Sequence, residues 1–502
     1  MAATTSPGRT GPRSGPQGRN ASIRLIGPWQ NALEGAAAAL CAVAAMAAVS
    51  ALALALLDAE SVGSLWSLTP ALTAMAVGGS VSAGPDVPAD SGSMGGPASL
   101  FGGGGGMGPS MSGAADVVPL GVTLVGAVVL WIAFSRRLRA GQQRRFTGGE
   151  LGVRAAGAAT AALVTLMIVA AVAQGSATMP EAAMNGMGAG GGGASGGLGE
   201  LLGGGGGDGL GGLLGGGGTG ARPEMAYRVS AGSAGLGAVL WVAAVLGAGC
   251  LVSRRVRLPL GGTLDGLRAA WGPSLSAVVR MTLTFAAVPL VALTVAGAVA
   301  GGRAGSAAGA ALLLAPNAVA VFLTLGVGSS WTAEVHPVRS DGGGNPLAAL
   351  MGGMGGMGGM GGGQQPDRTE QLRSLSAGGW PLWLVGLAVT CLALLACAYR
   401  AARVNRPGRV SLLLPCRGPL GGHIGMAGRF GVVTAVVLGG ATWLAEASGH
   451  VGVSMFGSEM GGMQAELSGS LLRTTTFALL AGAVTGFAGS LLAAAHGSRA
   501  TR

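Results

Sequence analysis

Four histidines, His336, His423, His450 and His496, are the residues from which acid–base chemistry or metal binding would first be expected. No two of them stand four residues apart, so none forms the pair that one helical face would offer to a metal. A zinc site needs three or four converging ligands. No set of serine, histidine and acidic residues indicates a nucleophile either. The sequence therefore predicts no metal, no cofactor, no catalytic residue and no enzymatic activity.

Charged side chains are confined to the ends of the apolar segments. The centres of these segments contain no Asp, Glu, Arg or His. This disfavours an ion-coupled carrier, because such carriers commonly need an ionisable group near the bilayer midplane. Glu34 lies at the start of the first apolar segment, and Glu446 and Arg473 flank the link between the last two. We interpret the three as interfacial charges that snorkel to water, or that pair, Glu446 with Arg473.

Two prolines lie inside apolar segments, Pro70 in LWSLTPALTAMAVGGSVSAG and Pro316 in LLLAPNAVAVFLTLGVGSSW. Proline removes a helical hydrogen bond, and irregular backbone within a bilayer is tolerated only where protein or a water-filled cavity satisfies it. Pro70, Pro316 and the adjoining Asn317 are therefore candidates for a cavity or a re-entrant segment. The alternative for Asn317 is that it caps a helix that starts after the break.

The composition indicates an all-α polytopic membrane protein. Of 502 residues, 50% are hydrophobic and only 10% charged, and mean hydropathy is +0.58. A soluble fold usually carries about 25% charged residues. The 100 glycines follow no Gly-X-Y period, which excludes collagen. The formal charge of +11 does not indicate nucleic-acid binding, because the arginines lie beside apolar segments, as the positive-inside rule describes.

Ten hydrophobic segments are long enough to consider as membrane spans, since a helical span needs about 20 apolar residues. We predict about eight transmembrane helices plus two re-entrant or interfacial segments, the second (65–83) and the seventh (306–329). The alternative is that these two also span. The ten segments lie near 33–57, 65–83, 117–135, 152–174, 231–252, 276–300, 306–329, 379–399, 428–446 and 471–495.

The distribution of charge supports the eight-span topology. With both termini cytoplasmic, it places 23 of the 30 arginines inside and 16 of the 19 acidic residues outside. If segments two and seven also crossed, the arginine-rich loops RRLRAGQQRR and SRRVR would be exported. Arginine near the end of a span resists translocation. We therefore predict a multi-pass membrane protein with both termini cytoplasmic.

The order of features indicates two parallel internal repeats. After a basic cytoplasmic tail (1–30), the first repeat covers 31–255 and the second covers 256–502. Pro70 answers Pro316, and a proline opens a span in each half, at VPL and WPL. Four spans per repeat return the chain to the same side, so the repeats are related by an axis along the membrane normal. The glycine-rich outer loops lie at 84–116, 175–228 and 331–378.

Three stretches carry a family resemblance: PWQNALEGAAAALCAVAAM, LLLAPNAVAVFLTLGVGSSWTAEV and TGFAGSLLA. They resemble the streptophobe family of Streptomyces membrane proteins, over nearly all of the hydrophobic part but not the glycine tracts. The resemblance implies a hydrophobic polytopic protein of the bacterial plasma membrane and supplies no catalytic residue. The matching residues are Trp29, Ala32, Leu33, Glu34, Gly35, Cys41, Pro316, Asn317, Gly326, Gly328, Ser330, Trp331, Glu334 and Gly486.

Two functions fit these observations. The first is a non-enzymatic envelope component that acts through helix packing and its outer loops. The alternative is a transporter or flippase for a neutral or lipidic substrate, with segments two and seven forming a site at the midplane. The lipid bilayer is the predicted partner, with no nucleic acid. The two hypotheses differ at Asn317, which only a transporter would expose to a water-filled cavity.

Overall fold

The computed structural model describes residues 28–61, 63–84, 110–140, 148–178, 224–252, 262–300, 303–338, 368–374, 376–377, 380–404, 420–455 and 458–499. Nearly all of the predicted N-terminal tail (1–30) and much of each glycine-rich loop lie outside these residues.

Within these residues the chain forms ten α-helices. Their apolar composition, rich in alanine and leucine, favours helix wherever proline and glycine are not clustered. They are α1 (Pro28–Leu56), α2 (Leu65–Met75), α3 (Leu120–Ala140), α4 (Gly148–Val172), α5 (Ala231–Val252), α6 (Gly262–Ala300), α7 (Arg303–Gly326), α8 (Leu382–Val404), α9 (Gly421–Ala445) and α10 (Leu471–Arg499). Short 3₁₀ helices occupy Ala59–Ser61 and Leu372–Ser374.

Eight helices are long and apolar enough to cross a membrane: α1 and α4 to α10. The predicted number is confirmed, but the membership differs at two places. Helix α7 qualifies by length and composition, because its 24 residues run on through Pro316 without a break. The apolar part of α3 that the structure describes, Leu120–Arg136, is a shorter apolar helix. Helix α2 has only 11 residues, which span about 16 Å at 1.5 Å per residue.

The prediction of an all-α chain is incomplete, because an eight-stranded antiparallel sheet joins the connections between helices. Its strand order is β3-β4-β1-β2-β9-β10-β5-β6, and β2 and β9 link the two halves of the chain. The strands are β1 (Val81–Gly84), β2 (Ser110–Val117), β3 (Gln174–Thr178), β4 (Glu224–Val229), β5 (Trp331–Val338), β6 (Arg368–Gln371), β9 (Ala447–Met455) and β10 (Ser458–Gly469). A separate pair, β7 (Ser376–Ala377) and β8 (Trp380–Pro381), precedes α8.

The sheet has one apolar face and one polar face, because successive side chains of a strand point to opposite faces. On the apolar face, Tyr227 packs against helices α2 and α4, and Trp331 is wholly buried beside the end of α7. On the polar face, the register aligns Asp116, Glu466 and Glu334 in one row across the strands, with Ser448 between the first two. The apolar face therefore attaches the sheet to the helices.

Two main apolar clusters form the core, one in each half of the chain. The first is built from α1, α3, α4 and α5 with the end of α2, and the second from α6 to α10. Helix α7 lies where the halves meet, since it contacts α1 and α3 of the first half as well as α6, α8 and α9 of the second. Helix α7 is therefore one of the elements, together with the paired strands β2 and β9, through which the two halves contact each other.

Candidate functional site

The ends of α2 and α7 share one backbone motif. Gly78 and Gly328 have φ angles of 96° and 100°, in the left-handed region that favours glycine. The Gly78 N–H donates to the carbonyl of Met75, and the Gly79 N–H to that of Ala74. Gly328 and Ser329 donate to Leu325 and Thr324 in the same pattern. Both helices thus end in a Schellman motif, from which β1 and β5 lead into the sheet.

The two prolines do not break their helices. Pro70 is the sixth residue of α2, and Pro316 lies in the middle of α7. Their predicted correspondence fails in register, because Pro70 precedes Gly78 by eight residues whereas Pro316 precedes Gly328 by twelve. The shared feature of the two segments is the glycine-containing C-terminal motif, which the prolines only accompany.

Pro316 leaves the carbonyl of Leu312 without its helical donor, because proline has no N–H to offer the residue four positions before it. Helix α3 covers this carbonyl with a glycine. A Cβ atom built on Gly121 would lie 1.8 Å from the Leu312 oxygen, so only a residue without a side chain allows α3 to approach so closely. The carbonyl that Pro316 leaves without a helical donor therefore lies at a close contact between α7 and α3, which belong to different halves of the chain.

Asn317 stabilises the same contact between α7 and α3. Its Nδ2 donates to the Val118 carbonyl at 2.8 Å, and its Oδ1 accepts the Leu120 N–H at 3.0 Å. Leu120 is the first residue of α3, so Asn317 caps a helix, but one in the other half of the chain. The sequence left cavity lining and a local cap open, and the observed contacts are those of a cap supplied from a distance.

Asn317→Ala is expected to lower the free energy of unfolding by about 1–3 kcal/mol, because it leaves the Leu120 N–H and the Val118 carbonyl without this partner. The measurement is an SDS titration of the protein in mild-detergent micelles, followed by circular dichroism. Gln464→Ala removes an exposed amide from the sheet and should change the free energy by less than about 0.5 kcal/mol. Equal effects of the two substitutions would contradict the capping role.

Glu34 pairs with Arg154, near the end of the bundle opposite the sheet. Its Oε2 lies 3.5 Å from Nη1 of Arg154, whose side chain is only 4% exposed. The Arg154 guanidinium also lies 4.9 Å from the centroid of the Phe134 ring. Gly35 and Gly157 allow α1 and α4 to meet backbone to backbone here, since Cβ atoms built on them would lie 2.0 and 2.3 Å from carbonyl oxygens.

Glu446 and Arg473 lie at neighbouring helix ends without forming the predicted ion pair. Glu446 terminates α9, where its N–H donates to the Thr442 carbonyl, and Arg473 is the third residue of α10. Among the ion pairs of the described residues, none joins the two or engages Arg473 with another carboxylate. Arg473 instead borders a cavity.

This cavity has a volume of about 260 Å³ and lies under the turn that ends α7. We call it the α7–α8–α10 cavity. It is lined by residues 325–329, by Trp383 and Leu387 of α8, and by Arg473 and Phe477 of α10. Its inner wall is firmly packed, because Leu325 and Val327 are 4% and 8% exposed. Leu387 and Phe477 at its rim are about two-fifths exposed.

The histidines are dispersed. His336 bonds Glu334 at 3.0 Å within β5, whereas His423 bonds Ser490 at the other end of the bundle. Within the part of the chain that the structure describes, no group of three or more His, Cys, Asp or Glu side chains is placed to hold a metal ion.

Three residues of these sites were not singled out from the sequence: Arg154, Gly121 and Phe477. By the predicted topology Arg154 is one of the 23 cytoplasmic arginines; a glycine stands three residues after it and another follows Glu34. A glycine close to a charged residue in each of two apolar segments indicates that the two helices approach closely and that the charges pair. The positions of Gly121 and Phe477 carry no such signal, because their meaning depends on which backbone lies opposite.

No model of a known protein family matches the chain, and neither curated proteins nor solved structures give a match. The resemblance to streptophobe proteins therefore stays a prediction.

Proposed function

We propose that this chain is a non-enzymatic envelope component of the bacterial plasma membrane, in which two parallel repeats of four crossing helices display one shared sheet on the outer side. The observation that carries the proposal is the sheet itself, because strands from both halves pair within it through β2 and β9. Eight crossing helices with a joint sheet form a platform rather than a catalytic pocket. Topology, lipid contact and repeat order support this proposal.

The connectivity supports eight crossings that include α3 and leave out α7. Strands β4 and β5 belong to one sheet, and α5, α6 and α7 connect them. A chain that leaves and rejoins the same side crosses an even number of times, so one of the three helices does not cross. Gly305 and Gly309 lie against the C-terminal end of α1, and α7 itself ends at β5. Both ends of α7 are therefore on the sheet side.

The same parity applies to α3 and α4, which connect β2 to β3. Because α4 is a strongly apolar helix of 25 residues, α3 must cross with it. The 21 residues of α3 extend about 31 Å, which matches a hydrocarbon core of about 30 Å. Helix α2 covers half that distance before its turn at Gly78, as a re-entrant segment would.

Exposed side chains support contact with lipid. Large apolar residues such as Leu236, Val299 and Val436 are 65%, 83% and 68% exposed on the helices. An exposed apolar surface of this extent suits a membrane protein. Exposed tryptophans mark both ends of the bundle, Trp29 at the start of α1 and Trp443 near the sheet-side end of α9. Tryptophan is enriched where lipid meets water.

The strand order supports parallel repeats. Each half contributes its strands to the sheet in the order third, fourth, first, second: β3-β4-β1-β2, then β9-β10-β5-β6. Inverted repeats would place corresponding connections on opposite sides of the membrane. Equivalent backbone bonds occur as well, since the Ser230 N–H donates to Ser80 and the Ser470 N–H to Ser330. This correspondence aligns α2 with α7 and α5 with α10.

Asn317 favours the envelope role over a transporter. A transport site built from segments two and seven would expose the Asn317 amide to a central cavity. Both polar atoms of the amide are instead engaged by the backbone at the start of α3, close to the sheet.

Reporter fusions test the topology. A reporter that is active only outside the cytoplasm should be active when fused after residue 302 and after residue 345, and inactive after residues 143, 257 and 412. Opposite activities at 302 and 345 would show that α7 crosses and would overturn the arrangement. Activity at 143 would overturn the assignment of α3.

A deletion strain tests the role. Complementation with the Glu466→Arg variant changes only the exposed polar face of the sheet. We expect this variant to reach normal membrane levels but to fail to return the envelope-stress response of the deletion strain to the wild-type level. Full restoration would contradict a role for the sheet face.

A further inference from the structure

We propose that the α7–α8–α10 cavity binds a phospholipid with an anionic headgroup, with the phosphate at Arg473 and an acyl chain along Phe477 and Leu387. The proposal rests on the repeat correspondence and the membrane placement of the proposed function. It adds a ligand and a site to them.

The cavity combines a cation with an apolar wall, as an amphipathic anion requires. Arg473 is exposed at its rim and takes part in no ion pair within the described residues. Val327 and Leu325 form the inner wall, and Phe477 lies one helical turn further into the membrane than Arg473. Arginine presents a planar fork of donors that matches a phosphate. The charge therefore lies towards the membrane surface and the apolar wall towards the membrane interior, as the headgroup and the acyl chains of a lipid do.

The cavity also lies at the correct depth. Arg473 and Trp383 stand in the first turns of α10 and α8, which both begin at the sheet side. Trp383 is partly exposed at a helix end, as tryptophans at the headgroup level are. Further in, Gly489 of α10 lies against Ala398 of α8, so the two helices converge below the cavity. The space therefore opens only near the interface.

At the corresponding position of the first repeat, the described residues pack closely, although the backbone has the same motif. The residues that correspond to Trp383, Arg473 and Phe477 are Gly121, Ser233 and Gly237. Gly237 allows the Val77 carbonyl to lie against α5, since a Cβ built there would be 1.7 Å from that oxygen. Ser233 is engaged locally, with its Oγ accepting the Ser80 N–H and donating to Ser230. The cavity therefore depends on the side chains of the second repeat and does not follow from the shared backbone motif alone.

Native mass spectrometry of the full chain in mild detergent tests the site. Dioleoyl phosphatidylglycerol and dioleoyl phosphatidylcholine, which share acyl chains, are titrated separately. We expect Arg473→Gln to weaken phosphatidylglycerol binding about fivefold, as the loss of one arginine near a membrane surface implies, and to weaken phosphatidylcholine binding less, because the choline cation offsets the charge of its phosphate. Arg473→Lys should retain most of the binding. Leu387→Trp, which fills the rim, should weaken binding of phosphatidylglycerol without removing a charge.

Arg228→Gln is the matched control, because it removes one exposed arginine from the polar face of the sheet. Unchanged phosphatidylglycerol binding by Arg473→Gln, or an equal loss in Arg228→Gln, would overturn the proposal. Displacement of the lipid by millimolar inorganic phosphate would do so as well, since it would indicate a site for a free anion. The reporter fusions are read independently, so a failed topology and a failed lipid site are distinguishable.

Discussion

Gly237→Ala is expected to lower the free energy of unfolding by about 3 kcal/mol, at the upper end of what overpacking costs. A Cβ at this position would lie 1.7 Å from the Val77 carbonyl oxygen. The carbonyl cannot turn away, because it belongs to the Schellman turn that Gly78 and Gly79 hold by their bonds to Met75 and Ala74. Helix α5 must therefore separate from α2, or the turn must open.

Gly247→Ala is the control for this prediction. Gly247 lies in the same helix and is exposed, and a methyl carbon added to it would meet no atom within 4 Å. Alanine there should be neutral or stabilising by up to about 1 kcal/mol, because it favours helix over glycine. Both variants are compared by SDS titration in detergent micelles. A Gly237→Ala variant as stable as Gly247→Ala would show that α2 and α5 do not meet at this point.

Glu34→Gln is expected to have an effect of similar size, about 3 kcal/mol, because it removes the carboxylate from a guanidinium that is almost wholly buried. The amide keeps the shape of the side chain but not its charge. A buried guanidinium that has lost its carboxylate costs more than the pair contributes, so adding Arg154→Met to Glu34→Gln should recover part of the lost stability. The same SDS titration measures all three proteins.

Glu60→Gln provides the comparison, since it removes an exposed carboxylate near the opposite end of α1. Its effect should stay below about 0.5 kcal/mol. If Glu34→Gln proved as mild as Glu60→Gln, or if the double variant were no more stable than Glu34→Gln alone, the ion pair would not hold α1 to α4.

The apolar helices were predictable because hydrophobicity accumulates along a continuous stretch. The ten segments correspond to the ten helices. The strands were not predictable in this way. SMSGAADV of β2 has little β propensity of its own, and it is held by a partner, β9, that lies more than 300 residues away.

The candidate residues were recognisable from the sequence, but their partners depend on the tertiary structure. Glu34 was identifiable as an interfacial charge, but its partner Arg154 depends on the glycines that let α1 and α4 approach. The predicted partner of Arg473 is Glu446, because the two residues flank the link between the last two apolar segments. In the structure Arg473 lies instead at the rim of the α7–α8–α10 cavity. Asn317 was recognisable as unusual, yet its role as a cap depends on where α3 begins.

By itself, the sequence determined the class of the protein and the positions of its apolar helices, and its arginines predict the sidedness. Each of these follows from the hydrophobicity and charge of residues that are neighbours in the chain, so it needs no knowledge of the fold. Only the tertiary structure decided the joint sheet, the contact of Gly121 with the carbonyl freed by Pro316, and the open cavity in the second half of the chain. Hydrogen bonds and close approaches act over a few ångströms, and they depend on which distant backbone arrives there.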